Sequence, residues 1–162
     1  MDIDLSFIKN EHFLESITEY LEKLFETNKK IYTVILFGSL AKGLAEYSYE
    51  KISDIDLIII FADSELPDDH RKRTDLKIEL MGYALSGIDS IWITKTEFEK
   101  SVQNKIDLIL SSLDEGIILY DPKNIARKQK ELLFRELEKK GVKKKEKYWI
   151  WPLKHLGEEI EW

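Results

Sequence analysis

The hydrophobic residues of the chain follow two kinds of spacing, which alternate from one segment to the next. From about residue 9 to residue 29 they recur every three or four positions, with Glu and Lys between them, which predicts an amphipathic helix. Three later segments are short and rich in β-branched residues, which predicts strands, and the apolar character of the first two predicts that those strands are buried. The predicted strands cover residues 32–37, 57–61 and 88–94.

Further helices are predicted between and after these strands. Pro67-Asp68-Asp69 supplies helix start signals, and apolar residues at helical spacing continue to about residue 85. The spacing from Thr94 to Glu97 is that of a capping box. It predicts one continuous helix with an apolar stripe that reaches Leu113.

The last third of the chain predicts an edge strand over residues 116–121 and a charged helix over about 124–140. The order of elements predicts an α/β (α+β) fold, in which helices pack on a small mixed β-sheet. A chain of 162 residues suits one domain. We expect its core in residues 1–122, and in residues 123–162 a C-terminal helical and basic/aromatic extension packed on the same domain.

Two segments leave alternatives open. Residues 44–53 lack periodicity and are predicted to form a loop, in which Tyr47 and Tyr49 either contact a base or an acceptor or are ordinary surface tyrosines. The tail at residues 148–153 is apolar enough to pack on the domain or to meet a partner. The tryptophans near the end fit either core closure or a homo-oligomer or partner surface; they are Trp149, Trp151 and Trp162.

The composition excludes several classes of site. The chain has no cysteine, so it can form no disulfide, thiolate zinc site or cysteine nucleophile. The histidines are scattered without metal-ligand spacing and are interpreted as solvated side chains; they are His12, His70 and His155. Neither a basic-then-apolar leader nor a run of about 18 apolar residues occurs, which predicts a soluble, cytoplasmic protein with no membrane partner.

The charge is unevenly distributed. The formal net charge of -6 argues against indiscriminate binding to nucleic acid. Residues 127–147, however, contain ten Lys or Arg against four Glu. A solvated helix face followed by a flexible basic turn is the favoured interpretation, and a surface for RNA or an acidic protein is the alternative.

Two carboxylates stand at the start of the second predicted strand. Asp54 and Asp56 are two positions apart, so on a strand their side chains project to the same face. Like charges that close raise a pKa or require a cation. Carboxylate oxygens suit magnesium, which completes its coordination with water and substrate phosphates. The pair therefore predicts a magnesium–nucleotide ligand.

A glycine–serine turn stands at the end of the first predicted strand. Gly38 lets a ligand approach the backbone closely, and Ser39 adds a hydroxyl donor to the unpaired N–H groups of the helical turn that follows. Lys42 adds positive charge. These residues are predicted to hold the terminal phosphates of a nucleoside triphosphate. A lone Gly-Ser or a lone Asp-x-Asp is also common in ordinary turns and caps, so the prediction depends on their joint occurrence.

Together the two motifs resemble those of the DNA polymerase β-like nucleotidyltransferase superfamily, most closely its minimal nucleotidyltransferases. The residues that carry the resemblance are Phe37-Gly38-Ser39 and Ser53-Asp54-Ile55-Asp56-Leu57-Ile58-Ile59. It extends from about Phe13 to Tyr120, because residues 113–120 are similar to the closing segment of that family. One departure is the separation of Ser39 from Asp54 by fourteen residues, more than the smallest members would have.

The resemblance implies a third carboxylate on the next strand, and Asp89 occupies the matching position, with Ser90 where an apolar residue is expected. It implies two Mg2+ ions and ATP as the donor. Asp54 and Asp56 would hold the metal on the triphosphate and share the second metal with Asp89, which would help to deprotonate the acceptor hydroxyl.

The same resemblance implies transfer of AMP to a tyrosine of a small HEPN-type helical partner, in the manner of an antitoxin. Transfer to a small hydroxylated molecule is the enzymatic alternative. A nucleotide-binding or partner-binding module that has lost turnover is the non-enzymatic one, because a fold does not by itself establish an activity.

Overall fold

The computed structural model of the chain describes residues 3–145 and 148–152. The interpretations of His155, of Trp162 and of Lys147 within the basic segment lie outside the described residues.

The described residues form helices and strands in mixed order. The helices are α1 (Glu11–Glu26), α2 (Gly38–Ala41), α3 (His70–Met81), α4 (Lys95–Gln103), α5 (Asp107–Glu115) and α6 (Ile125–Lys139). The strands are β1 (Ile31–Phe37), β2 (Ile55–Phe61), β3 (Ile88–Thr94), β4 (Ile117–Tyr120), β5 (Lys143–Lys145) and β6 (Tyr148–Ile150). Short 3-10 helices occupy Asp63–Glu65 and Gly82–Leu85. In the ranges described, no helix combines the length and the apolar character needed to cross a bilayer.

The central sheet has the strand order β3-β2-β1-β4. Strand β1 runs antiparallel to both β2 and β4, whereas β2 and β3 are parallel. The predicted fold class, a small mixed sheet with helices packed on it, is confirmed. Parallel pairing of β2 with β3 matters for the site because it aligns Asp56 directly with Asp89.

Helices cover both faces of this sheet, and β2 shows why. Its residues alternate between two buried clusters: Ile55, Leu57 and Ile59 join the cluster that contains the α1 side chains, and Ile58 and Ile60 join the cluster that contains those of α4, α5 and α6. The part of β2 from Leu57 to Phe61 is apolar at every position, so it must be covered on both faces, as its sequence predicts.

The region predicted as one helix up to Leu113 is two helices, α4 and α5, so that prediction is wrong in part. The capping box of Thr94 and Glu97 does begin α4. The break comes at Lys105, whose φ of 50° is incompatible with helix continuation. Its ammonium group is nearly buried in an ion pair with Glu136, 2.8 Å away on α6. Ile106, predicted to be buried, is 47% exposed at the break.

The basic stretch after α6 also differs from the prediction. Residues 143–145, predicted to belong to a flexible turn, pair as β5 with β6 in a two-stranded antiparallel sheet. The Trp149 ring on β6 lies against Phe134 of α6, with ring centroids 5.7 Å apart. Trp149 and Trp151 are partly buried against the cluster beneath α4, α5 and α6. The described part of the tail therefore packs on the domain.

Helix α3 protects the outer edge of β3. The Arg73 guanidinium donates to the Trp92 carbonyl at 3.2 Å. The Lys77 ammonium donates to the carbonyl of Ser90, which lies two residues before Trp92 on β3. Residues four apart on a helix and two apart on a strand both span roughly 6 Å, so the two side chains match the strand repeat. Lys and Arg placed on an edge in this way prevent pairing with another strand.

Candidate active site

The turn between β1 and α2 is built against the start of β2. Phe37 and Asp56 are paired across the two antiparallel strands, which brings the next residue, Gly38, beside the Asp56 side chain. Gly38 has a φ of 69°, and a Cβ atom placed on it would stand 1.9 Å from Oδ2 of Asp56. Both the backbone conformation and the contact therefore require glycine at this position.

Helix α2 leaves the N–H groups of its first turn without a side-chain cap from the preceding residue. Phe37 occupies the N-cap position in extended conformation and makes no side-chain hydrogen bond there. The turn is closed at its other end by backbone hydrogen bonds from Gly43 to Leu40 (3.1 Å) and from Leu44 to Ser39 (2.9 Å). Uncapped N–H groups together with the half-buried Ser39 suit an anion.

Three carboxylates occupy one corner of the sheet. Asp54 is exposed and lies one residue before β2 rather than on it, Asp56 is half-buried on β2, and Asp89 is exposed on β3. Asp56 and Asp89 are directly aligned in the parallel pair, so both project from the same face of the sheet. Burial raises the pKa of the Asp56 carboxyl above its ordinary value, and the negative charges of Asp89 and Asp54 raise it further.

Ser90 does not disturb this face. It alternates with Asp89 along β3 and is buried on the opposite side of the sheet. There Tyr20 of α1 accepts a hydrogen bond from Trp92 Nε1 at 3.0 Å, and burial raises the pKa of the Tyr20 hydroxyl. The departure at Ser90 thus falls in the core beneath α1, away from the carboxylates.

The carboxylate corner suits a metal completed by other ligands. Within the stretches 3–145 and 148–152, no three His, Asp or Glu side chains already converge to enclose an ion. Asp56 nevertheless carries a carboxylate that burial and two like charges disfavour, and a cation would relieve all three effects. Magnesium, which keeps several waters and binds through one or two carboxylates plus phosphates, fits such an open donor set.

Lys42 follows α2 directly, but its ammonium group forms an ion pair with Oε2 of Glu115, at the end of α5. The other carboxylate oxygen of Glu115 accepts from Lys144 of β5 at 2.8 Å. Hydrogen bonds from Lys144 and from Lys42 lower the pKa of Glu115 to about 2. The role of Glu115 could not be predicted from local sequence, because Lys42 and Glu115 are distant along the chain.

Residues 44–53, predicted to be a loop, form a small hairpin. Tyr47 and Ile52 form an antiparallel bridge, and Ser53 donates its N–H to the Glu46 carbonyl at 2.8 Å. The Tyr47 ring stacks on His12 of α1, with centroids 4.1 Å apart and planes at 19°. Of the two tyrosines considered for base contact, Tyr47 therefore stacks on the protein itself. Tyr49 is fully exposed.

Comparison with known proteins identifies a family. The family model described as "Polymerase beta, Nucleotidyltransferase" matches residues 19–135, which include both motifs and all three carboxylates. No curated protein matches the chain.

The fold is also similar to solved structures of low sequence identity. One is a toxin–antitoxin with AMP-PNP, at 18% identity and a TM-score of 0.44, covering 76% of this chain and 91% of that one. Another is a tri-AMPylated Shewanella oneidensis HEPN toxin in complex with MNT antitoxin, at 16% identity and a TM-score of 0.44, covering 79% and 92%.

Proposed function

The chain belongs to the polymerase beta nucleotidyltransferase family, and from that premise we propose that it is a magnesium-dependent enzyme that transfers AMP from ATP to a hydroxyl group. The observation that carries the proposal is the contact of Asp56 with Gly38. It joins a carboxylate suited to a metal with a turn suited to phosphate, so one magnesium–triphosphate can touch both.

The chain's own residues divide the work. The N–H groups at the start of α2 and the Ser39 hydroxyl would hold the terminal phosphates, and Lys42, whose charge is shared with Glu115, would lie beside them. Asp54 and Asp56, with Asp89 on the neighbouring strand, would hold two Mg2+ ions. Bound magnesium neutralises phosphate charge and makes the acceptor hydroxyl more acidic.

The reaction is an in-line displacement. The acceptor oxygen bonds to the α-phosphorus while the bond from that phosphorus to the bridging oxygen of the β-phosphate breaks, and pyrophosphate leaves. A carboxylate oxygen of Asp89 takes the acceptor proton. The rate enhancement comes mainly from positioning and charge neutralisation, as is usual for phosphoryl transfer.

The acceptor we propose is a tyrosine of a HEPN-type helical protein, which would make this chain an antitoxin acting in the cytoplasm. The support is the motif resemblance to the minimal nucleotidyltransferases. A protein acceptor also suits the exposed position of the carboxylates. A folded protein has a surface large enough to bind around them, so it does not need a deep pocket on this chain.

The proposal is tested with α-labelled ATP and Mg2+, using the protein alone, with a HEPN-type protein and with small hydroxylated molecules. We expect label on the partner with the wild type and none with Asp56→Asn. Asp68→Asn, an exposed carboxylate beyond the opposite end of β2, serves as the matched control and should transfer normally. Label on the small molecule alone would overturn the protein acceptor, and nucleotide binding without any transfer would overturn the activity.

A further inference from the structure

The hairpin of residues 44–53 presents an apolar surface beside the carboxylates. Its large apolar side chains are exposed rather than packed under it; they are Leu44 (67%), Tyr47 (49%), Tyr49 (106%) and Ile52 (59%). Isolated exposed apolar residues are ordinary on protein surfaces, but four large ones within ten residues are a concentration of the kind found at interaction sites.

Hydrogen bonds within the hairpin and one ring contact outside it stabilise its conformation. Glu46 receives an N–H hydrogen bond at its carbonyl from Ser53, and its own N–H donates to the Ser53 hydroxyl at 3.0 Å. Ser48 and Lys51 exchange further hydrogen bonds at the tip. Outside the hairpin, the His12 ring supports Tyr47. A preordered surface loses little conformational entropy when it binds, which favours its use in recognition.

The hairpin also joins the two halves of the candidate site. At its beginning, the Leu44 N–H donates to the Ser39 carbonyl of the phosphate turn. At its end, Ser53 directly precedes Asp54. A molecule seated on the hairpin is therefore next to both the triphosphate and the carboxylates, which is where the acceptor hydroxyl must be.

The charges of the hairpin indicate the class of occupant. Its charged residues are Glu46, Glu50 and Lys51, and the only cation, Lys51, pairs with Glu46 at 2.9 Å. Binding of nucleic acid relies on cations that neutralise phosphates, and the one cation of the hairpin, Lys51, is already paired with Glu46. A small molecule would need an enclosing pocket, whereas Tyr49 stands fully out in solvent. Exposed tyrosine and aliphatic side chains are typical of protein interfaces.

We propose that this hairpin is the docking surface for a protein acceptor, which contacts it through an apolar patch with a basic rim next to the modified tyrosine. The basic rim follows from the negative balance of the hairpin, of the carboxylate corner and of the chain as a whole. The proposal rests on the proposed function for the identity of the modified residue. It does not depend on turnover, because docking is measurable without ATP.

Two fluorescein-labelled peptides test the proposal by anisotropy. Both carry one tyrosine and the same lysines; the first has leucine and phenylalanine around the tyrosine, and the second has serine at those positions. We expect the wild type to bind the first peptide about tenfold more tightly than the second. Replacement of Tyr49 and Ile52 together by Ser should remove that preference.

The matched control replaces Ile78 and Tyr83 by Ser, since these apolar residues are also exposed (55% and 74%) and lie on α3 and the 3-10 helix after it. It should keep the preference. The proposal is overturned if the wild type does not distinguish the peptides, if the hairpin variant still does, or if the control variant loses the preference as well.

The remaining candidate for binding to the hairpin is a second copy of this chain. Sedimentation of the same variants measures whether the hairpin mediates a homodimer. Loss of a homodimer in the hairpin variant alone would make the hairpin a self-interface and overturn the proposal. Absence of any label transfer together with a retained peptide preference would instead refute the proposed function and leave the docking surface standing.

Discussion

Oδ2 of Asp56 lies so close to the Cα atom of Gly38 that a methyl group added to the glycine would stand 1.9 Å from it. The contact arises because Phe37 and Asp56 are partners in the antiparallel pair of β1 and β2. The register of two buried strands therefore fixes the distance between the phosphate turn and the carboxylates. The position of Asp56 relative to the turn is therefore set by strands that lie in the core.

Replacement of Gly38 by Ala should damage both the fold and the site. Gly43 provides a matched control, because it has a similar φ of 67° but no atom within 4 Å of an added Cβ. Gly43→Ala should cost about 1–2 kcal/mol in the free energy of unfolding through its backbone alone. Gly38→Ala should cost more and should also abolish binding of magnesium–ATP, because Asp56 must move. Urea unfolding and nucleotide titration measure the two effects, and equal losses in both variants would contradict the role of the contact.

Asp56→Asn should stabilise the metal-free protein at neutral pH. Burial and the neighbouring Asp89 and Asp54 raise the pKa of Asp56 in the folded state, so the unfolded chain releases this proton more readily. The contribution of Asp56 to the free energy of unfolding is therefore greatest at acidic pH, falls as the pH rises from 3.8 through the raised folded value, and is flat above it.

Thermal unfolding in EDTA at several pH values measures this effect. The advantage of the Asn variant over the wild type should grow across that pH interval and then remain constant. Addition of Mg2+ should raise the Tm of the wild type but not that of the variant. A variant less stable than the wild type at neutral pH, in the absence of metal, would contradict the electrostatic account.

Glu115→Gln should strengthen nucleotide binding by a few fold. The change removes the carboxylate that pairs with Lys42, so its ammonium group becomes available to the triphosphate that we propose to bind at the start of α2. Since the pKa of Glu115 is about 2, the pair is intact throughout neutral pH, and the effect should not vary between pH 6 and 8. Lys42→Met should weaken nucleotide binding. In the double variant, Glu115→Gln should cause no further change in affinity.

Fluorescent ATP titrations in low and high salt provide the measurement for this pair. Glu99→Gln, which breaks the distant surface pair with Lys95, is the matched control and should leave the affinity unchanged. Weaker binding by Glu115→Gln would show that Glu115 positions Lys42 instead of competing for it.

Arg73→Met should destabilise the fold by about 3 kcal/mol, because it removes a buried guanidinium that donates to two carbonyls and a carboxylate. The Arg73 side chain is 7% exposed and donates to the carbonyls of Pro67 and Trp92 and to the Glu97 carboxylate. Arg71→Met, an exposed neighbour on α3, is the control and should change stability by less than about 0.5 kcal/mol. Chemical denaturation measures the free energy of unfolding of both variants. Similar midpoints for the two would show that the Arg73 hydrogen bonds contribute little to stability.

The features that could be predicted from the sequence are those that local spacing encodes. Short β-branched segments predict the three long strands, and the pairing of β2 with β3 brings Asp56 beside Asp89, whereas Asp54, predicted to lie on β2, precedes it. The capping box at Thr94 predicts the start of α4 correctly.

The features that escaped prediction depend on partners far along the chain. Lys105 interrupts the helix while bound to Glu136, Glu115 meets Lys42 across the site, and Arg73 is buried within a helix whose charges suggest a solvated surface. No local pattern distinguishes such residues from exposed ones. The hairpin of residues 44–53 was missed for a related reason, since its order comes from hydrogen bonds within it and from the His12 ring, not from apolar periodicity.

Calorimetric titration with α,β-methylene ATP measures whether the turn and the carboxylates hold one magnesium–triphosphate between them. The wild type and Asp68→Asn should bind it only when Mg2+ is present. Ser39→Ala should bind it more weakly, and Asp54→Asn and Asp56→Asn should lose the magnesium-dependent binding. Binding of equal strength with and without Mg2+, unchanged in Asp56→Asn, would contradict the account.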